Sequence, residues 1–182
     1  MNPLQIALLL LALALPVALF LWHDRSQTNP ASRWPVLAKW LEFAYSDNPP
    51  ALKGQWKERQ VVLQMAGGTA RLSVAMKTAG SFRVEIGPKE AVEKASGMIV
   101  PDRIAIHDSA LDEKLLVRAT PGSAGESIDL TLLRKIAQFH GAWVLVVPGG
   151  AEMRFETPPT EATQVREAAD ILVSLADALE GI

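Results

Sequence analysis

The chain has no cysteine among its 182 residues, one tyrosine, three histidines and little excess of either charge. Each shortage removes a class of explanation. Without cysteine there is no disulfide framework, no thiolate nucleophile and no lipid-modified N-terminal cysteine. A zinc site would need histidine and carboxylate alone. The absence suits a reducing compartment and the bacterial envelope equally. His23, His107 and His140 show no ligand spacing, and no H-E-x-x-H pair occurs. Lys and Arg number 18 against 20 Asp and Glu. Such a balance lacks the basic field that draws nucleic acid, so no nucleic-acid partner is expected. Pro121-Gly122-Ser123-Ala124-Gly125-Glu126-Ser127 has glycines, but no G-x-S-x-G, no Lys-Ser or Lys-Thr after them and no G-x-G-x-x-G. It reads as a loop. No catalytic, cofactor-binding or metal-binding residue is singled out, and no cofactor is implied.

What the chain does have is an uncharged beginning. Residues 1–22 carry no charged side chain, and residues 6–22 are apolar throughout with Pro16 among them. A helix crossing ~30 Å of hydrocarbon needs about 20 such residues, and a bilayer helix tolerates a proline with a local kink. Trp22 stands where an interfacial aromatic belongs, followed by His23, Asp24 and Arg25. A cleaved signal peptide would carry a basic first segment and small residues at its end. This run starts Met1-Asn2-Pro3 and ends Phe20-Leu21-Trp22. Residues 1–22 are therefore expected to be an uncleaved single-pass transmembrane anchor that meets the lipid bilayer through residues 3–22. Lys and Arg are absent before it, while Arg25, Arg33 and Lys39 follow. That bias favours the inner (plasma) membrane with the C-terminal domain on the cytoplasmic side.

Residues 23–32 form a short polar tether, and residues 33–182 suit a single α+β soluble domain. Residues 33–45 have Leu37, Trp40, Leu41 and Ala44 at helical spacing, with Ser32 as cap and Pro35 in the first turn. This helix is aromatic enough to rest among headgroups, although packing on the domain's own sheet is favoured. Asp47-Asn48-Pro49-Pro50 would stop it. From Gly54 the period becomes two. Val61, Leu63 and Met65, then Leu72, Val74 and Met76, then Phe82, Val84 and Ile86 alternate with polar residues, and Gly67-Gly68 supplies a hairpin turn. This predicts a predominantly antiparallel sheet with helices packed on one face. Residues 88–96 are a polar excursion with a helical turn. Strands are expected over 98–100, 103–107 and 115–120, with a turn at 107–113. A helix capped by Ser127 should run over 127–140, placing His140 at its C-terminus. A hairpin is expected over 142–156 around Pro148-Gly149-Gly150. A final helix over 161–180 carries a stripe of Val165, Ala168, Ala169, Leu172, Leu175, Ala176 and Leu179.

Two stretches bear a likeness to known families. One is Leu37-Ala38-Lys39-Trp40-Leu41-Glu42-Phe43-Ala44 followed by Pro49-Pro50-Ala51-Leu52-Lys53-Gly54-Gln55-Trp56-Lys57-Glu58-Arg59-Gln60-Val61. The other is residues 108–117, Asp-Ser-Ala-Leu-Asp-Glu-Lys-Leu-Leu-Val. Together they resemble bacterial membrane-anchored α+β protein families of unknown function, in which a helix precedes a G-x-(aromatic)-x-x-R-x-V strand. Glu58 stands where that pattern has Gly, and Leu111 where it has Phe. The resemblance implies the architecture, spans most of residues 34–179, and transfers no functional residue.

These features predict a single-pass membrane protein with a non-enzymatic domain that binds or regulates another protein. The alternative is an enzyme or small-ligand-binding domain with a site near Arg103, Asp108 and Asp112. Asp108, Asp112 and Glu113 are the nearest approach to a carboxylate cluster, but they lack the alternating ligands and central Gly of a calcium loop.

Overall fold

The computed structural model describes residues 14–16, 30–77, 81–95 and 100–180. Most of the expected anchor and tether, and residues 98–99 of an expected strand, lie outside the described residues. Among the described residues, no helix is long and apolar enough to cross a membrane.

A 3-10 turn at Pro30–Arg33 leads into helix α1, Trp34–Leu41. The helix is shorter than the pattern over 33–45 suggests. Glu42 turns left-handed at φ 58 and its N–H closes on the Ala38 carbonyl, which ends the helix. Arg33, not Ser32, is the cap residue, with no side-chain capping bond. The chain then forms strands β1, Ala44–Asp47, and β2, Pro50–Trp56, so Asn48-Pro49 turns a hairpin rather than stopping a helix. Strand β3, Arg59–Ala66, and strand β4, Thr69–Ala75, complete a meander. Its β2–β3 turn places Lys57 and Glu58 at φ 47 and 65. This two-residue turn normally takes Asn or Gly, and here Lys and Glu occupy it instead.

The second half holds β5, Arg83–Gly87; α2, Lys89–Ala95; β6, Asp102–Ile104; α3, Ser109–Asp112; β7, Leu116–Thr120; α4, Gly122–Glu126; and α5, Leu130–Ile136. Strands β8, Trp143–Val147, and β9, Gly150–Phe155, then precede α6, Ala162–Glu180. Three expectations change here. The turn at 107–113 contains α3, capped by Asp108. The glycine loop at 121–126 is helix α4, seated so closely that a Cβ on Gly125 would run into Ile104 and Ala119. Tertiary contact, rather than propensity, makes this segment helical. Helix α5 begins at Leu130 under an Asp129 cap, while the Ser127 hydroxyl donates to the Ala124 carbonyl. It ends at Ile136, which leaves His140 beyond it in a turn.

The strands form one mixed-order sheet, β1-β2-β3-β4-β9-β8-β5-β7-β6, and every neighbouring pair is antiparallel. The β8–β9 hairpin is inserted between the meander and the second half. Helix α6 buries its stripe, Leu172 and Leu175 included, on one face, in a core with Leu63, Leu72 and Met153. Each such side chain contributes roughly 1.5–3 kcal/mol. The helices are not confined to that face. Val92 of α2 packs with Leu116 and Trp143 in a separate small cluster on the opposite side. Leu116 and Trp143 alternate with the main-core residues Val117 and Val144, which is why one strand serves two layers.

Candidate functional site

The residues of the alternative site are engaged with one another and with their surroundings. Arg103 on β6 holds Asp112 of α3 in a forked bond, Nη2 to Oδ1 at 3.1 Å and to Oδ2 at 3.0 Å. Asp108 accepts the Ala110 and Leu111 backbone N–H groups at 3.1 and 3.2 Å, and Arg134 Nη2 of α5 reaches its Oδ2 at 2.9 Å. The Arg134 bond is the chief reason its carboxyl lies below the usual carboxylate range. These pairs stitch β6, α3 and α5 together. A pocket of about 330 Å³ lies alongside, walled by Ile104, Ile106, Ile128, Leu130 and Leu133 with His107 and Glu126 among its lining. It includes neither Arg103, Asp108 nor Asp112. Glu113 caps the C-terminus of α3. His140 lines a different depression, with Phe139 and Pro158. His23 lies outside the described residues.

A second set of charges, far apart in the sequence, carries no local sequence signal. Arg59 of β3 grips Glu180 of α6 with both terminal nitrogens at 2.8 Å, and its Nη2 also meets Asp177 at 2.5 Å. The Lys77 backbone N–H adds a 2.6 Å bond to Glu180. Chiefly through Arg59, the Glu180 carboxyl is held down at about 2. Nearby, burial pushes the Asp170 carboxyl up, but bonds from Lys57 and the Trp56 indole, both at 2.8 Å, leave it below its ordinary value. This network ties α6 to the sheet.

The third cluster lies on the sheet face away from α6. The registers place Arg71, Arg154 and Trp143 opposite one another across β4, β9 and β8. The Arg154 guanidinium stacks 4.5 Å from the Trp143 ring centroid. It also binds Glu152, Nε to Oε1 at 2.9 Å, while Arg71 reaches Glu152 at 3.4 Å. Glu85, on the same face, is completely buried (0% exposed) and binds Arg83 Nε at 2.7 Å. Two donors in the cross-strand row, Arg71 Nε–H and Trp143 Nε1–H, are buried without a protein acceptor. Buried donors are normally paired, so this row is under-satisfied among the described residues. A shallow groove of about 480 Å³ opens beside it, lined by Trp143, Arg154, Thr69, Lys94, Glu90 and Glu156 among others. The signal for this face was the unbroken apolar run 142–147. Such a strand is covered on both sides, so Trp143 could be expected on the face that alternation elsewhere makes polar.

The class defined by these observations is a mixed α+β domain with a large antiparallel sheet and helices on both sides. One solved structure shares it: the crystal structure of the mycobacterial trehalose monomycolate transport factor A, TtfA, with a TM-score of 0.63. Identity is 12%, and the match covers 84% of this chain and 95% of that one. At that identity the likeness is one of fold. No protein-family model matches the chain, and no curated protein matches it in sequence.

Proposed function

We propose that this chain is a membrane-anchored, non-enzymatic domain that holds another protein against the sheet face bearing Arg71, Arg154 and Trp143. The observation that carries the reading is the pair of buried donors in one cross-strand row, beside an open groove. Leaving them unmet costs ~1–3 kcal/mol each, and a partner's carbonyl or carboxylate oxygens would complete them once the Arg154 guanidinium moves off the Trp143 ring. The apolar run of residues 1–22 and the following Arg25, Arg33 and Lys39 support attachment to the inner membrane with the domain on the cytoplasmic side. The fold's likeness to a factor of trehalose monomycolate transport is consistent with a supporting role in transport rather than chemistry of its own.

The test is a photocrosslinking residue placed at Lys94 or Thr69 of the full-length chain in native membranes. A discrete protein adduct that weakens in Trp143→Phe, which removes the N–H and keeps the ring, is expected. Adducts to lipid only, or none, would remove the partner from this face. Small-ligand binding remains the second reading, now favoured by the apolar pocket at Ile104 and Ile128. It predicts a small molecule that co-purifies with the chain and is lost when Ala105→Trp, at an exposed position in the pocket lining, obstructs the pocket.

A further inference from the structure

Helix α1 carries two tryptophans with opposite fates. Trp34 is fully buried and donates its indole N–H to the Pro159 carbonyl at 3.2 Å. Trp40 is 69% exposed, and Val36, one turn before it, is 57% exposed. The two form a single apolar stripe, because residues four apart share a helix face. Arg33 and Lys39, both exposed, flank the stripe. The helix cannot roll this stripe inward. Trp34, Leu37, Ala38 and Leu41 already occupy the core side, and Arg166 of α6 pins the helix end through a 2.7 Å bond to the Trp40 carbonyl.

We infer that the Arg33–Val36–Lys39–Trp40 face of α1 lies in the lipid headgroup layer and fixes how the domain sits on the bilayer. The inference rests on residues 1–22 being the anchor. Two arguments select lipid over other occupants. The first is reach. Trp22 and Pro30 are eight residues apart in the sequence, and a fully extended segment of that length spans at most about 28 Å. Helix α1, which begins four residues further on, is therefore kept close to the membrane surface. The second is size. The exposed parts of Trp40 and Val36 amount to roughly 250 Å², well short of the ~800 Å² that each side of a stable protein interface buries. An indole beside an aliphatic side chain, framed by two cations, suits the interface between acyl chains and anionic headgroups. Among the described residues lining the groove beside this face, Glu161 is the one carboxylate.

The absence of cysteine makes the test direct. A Val36→Cys full-length chain carries one environment-sensitive fluorophore and is reconstituted into vesicles of phosphatidylethanolamine and phosphatidylglycerol. An Asp112→Cys chain serves as reference on a remote surface. Flotation with the vesicles reports the anchor, and quenching by shallow spin-labelled lipid reports the α1 face. The expected result is co-flotation of both, a blue-shifted emission at position 36 and at least threefold stronger quenching there than at 112. The shift should shrink when Trp40→Ser is added. Co-flotation with equal, weak quenching at both positions would overturn the inference and leave the anchor standing. Failure to float would overturn both. Protection at position 36 that persists in detergent and grows with protein concentration would assign the face to a second copy and likewise overturn it.

Discussion

The carboxylates of α6 and those around α3 look alike in composition and differ in consequence. Around α3, Arg103 meets Asp112 with the two side chains 56% and 39% exposed, where water screens and competes for each partner. On α6, Glu180 meets an Arg59 side chain that is only 11% exposed, which also satisfies Asp177 and the Ala75 carbonyl. One arginine engaging several acceptors in a partly dry seam loses its conformational freedom once for several bonds. Carboxylates crowded in sequence, as at 108–113, therefore do not mark the energetically important group. The important one joins β3 to the last helix from distant parts of the chain.

Four experiments test this contrast, from the largest expected effect down. Leu172→Asp places a charge in the fully buried layer beneath the inner network. It should cost more than ~4 kcal/mol and leave the domain unfolded in circular dichroism. A cooperative native melt would instead place the stripe of α6 on an interface. Arg59→Met keeps the packing stem and leaves Glu180 and Asp177 without their cation. A loss of ~2 kcal/mol is expected, read as a fall of about 4–8 °C in the melting temperature. A change below 1 °C would reduce the inner network to the level of the outer one.

Acid titration probes the inner network through Glu180. The Glu180 carboxyl is depressed to about 2 in the folded chain, against ~4.3 when unfolded. Its stabilisation is thus complete above the unfolded value and lost as pH falls from about 4.5 towards 2. Stability measured by urea unfolding should decline across that window in the native chain and decline less in Arg59→Met. Parallel curves would show that other carboxylates carry the acid response. The smallest effect is expected for Asp112→Asn, within ~0.5 kcal/mol, because its ion pair is solvent-exposed. A loss comparable to that of Arg59→Met would erase the contrast.

Legibility in the sequence followed the range of the interaction. Alternation at Val61, Leu63, Leu72 and Val74 announced the meander core, and Gly67-Gly68, at φ 58 and 85, announced its turn. No local signal marks the β2–β3 hairpin, because Lys57 and Glu58 adopt positive φ without glycine or asparagine. The apolar pattern of helix α1 runs past its end because Phe43, Ala44 and Tyr45 continue it. Yet a Cβ on Gly54 would collide with the Phe43 ring, so that ring lies over β2 rather than on a helix. At the candidate interaction face, Trp143 opposite Arg154 follows from a two-residue turn at Pro148-Gly149. The pairing of Arg71 with Arg154 joins distant strands, and no local pattern encodes it.

By itself the sequence determined the antiparallel meander with its apolar face and the buried stripe of the last helix. Both follow from side-chain periods of two and 3.6 that any segment carries within itself. It also supplied the uncharged run at 1–22 on which the expected anchor rests. The tertiary structure decided which charges matter, why Glu85 is dry on the face that alternation makes polar, and why Trp34 is enclosed while Trp40 is not. Those outcomes depend on which strand and helix become neighbours. That choice is a property of the whole packed chain, since burial, not residue type, sets what a charge or an aromatic ring is worth.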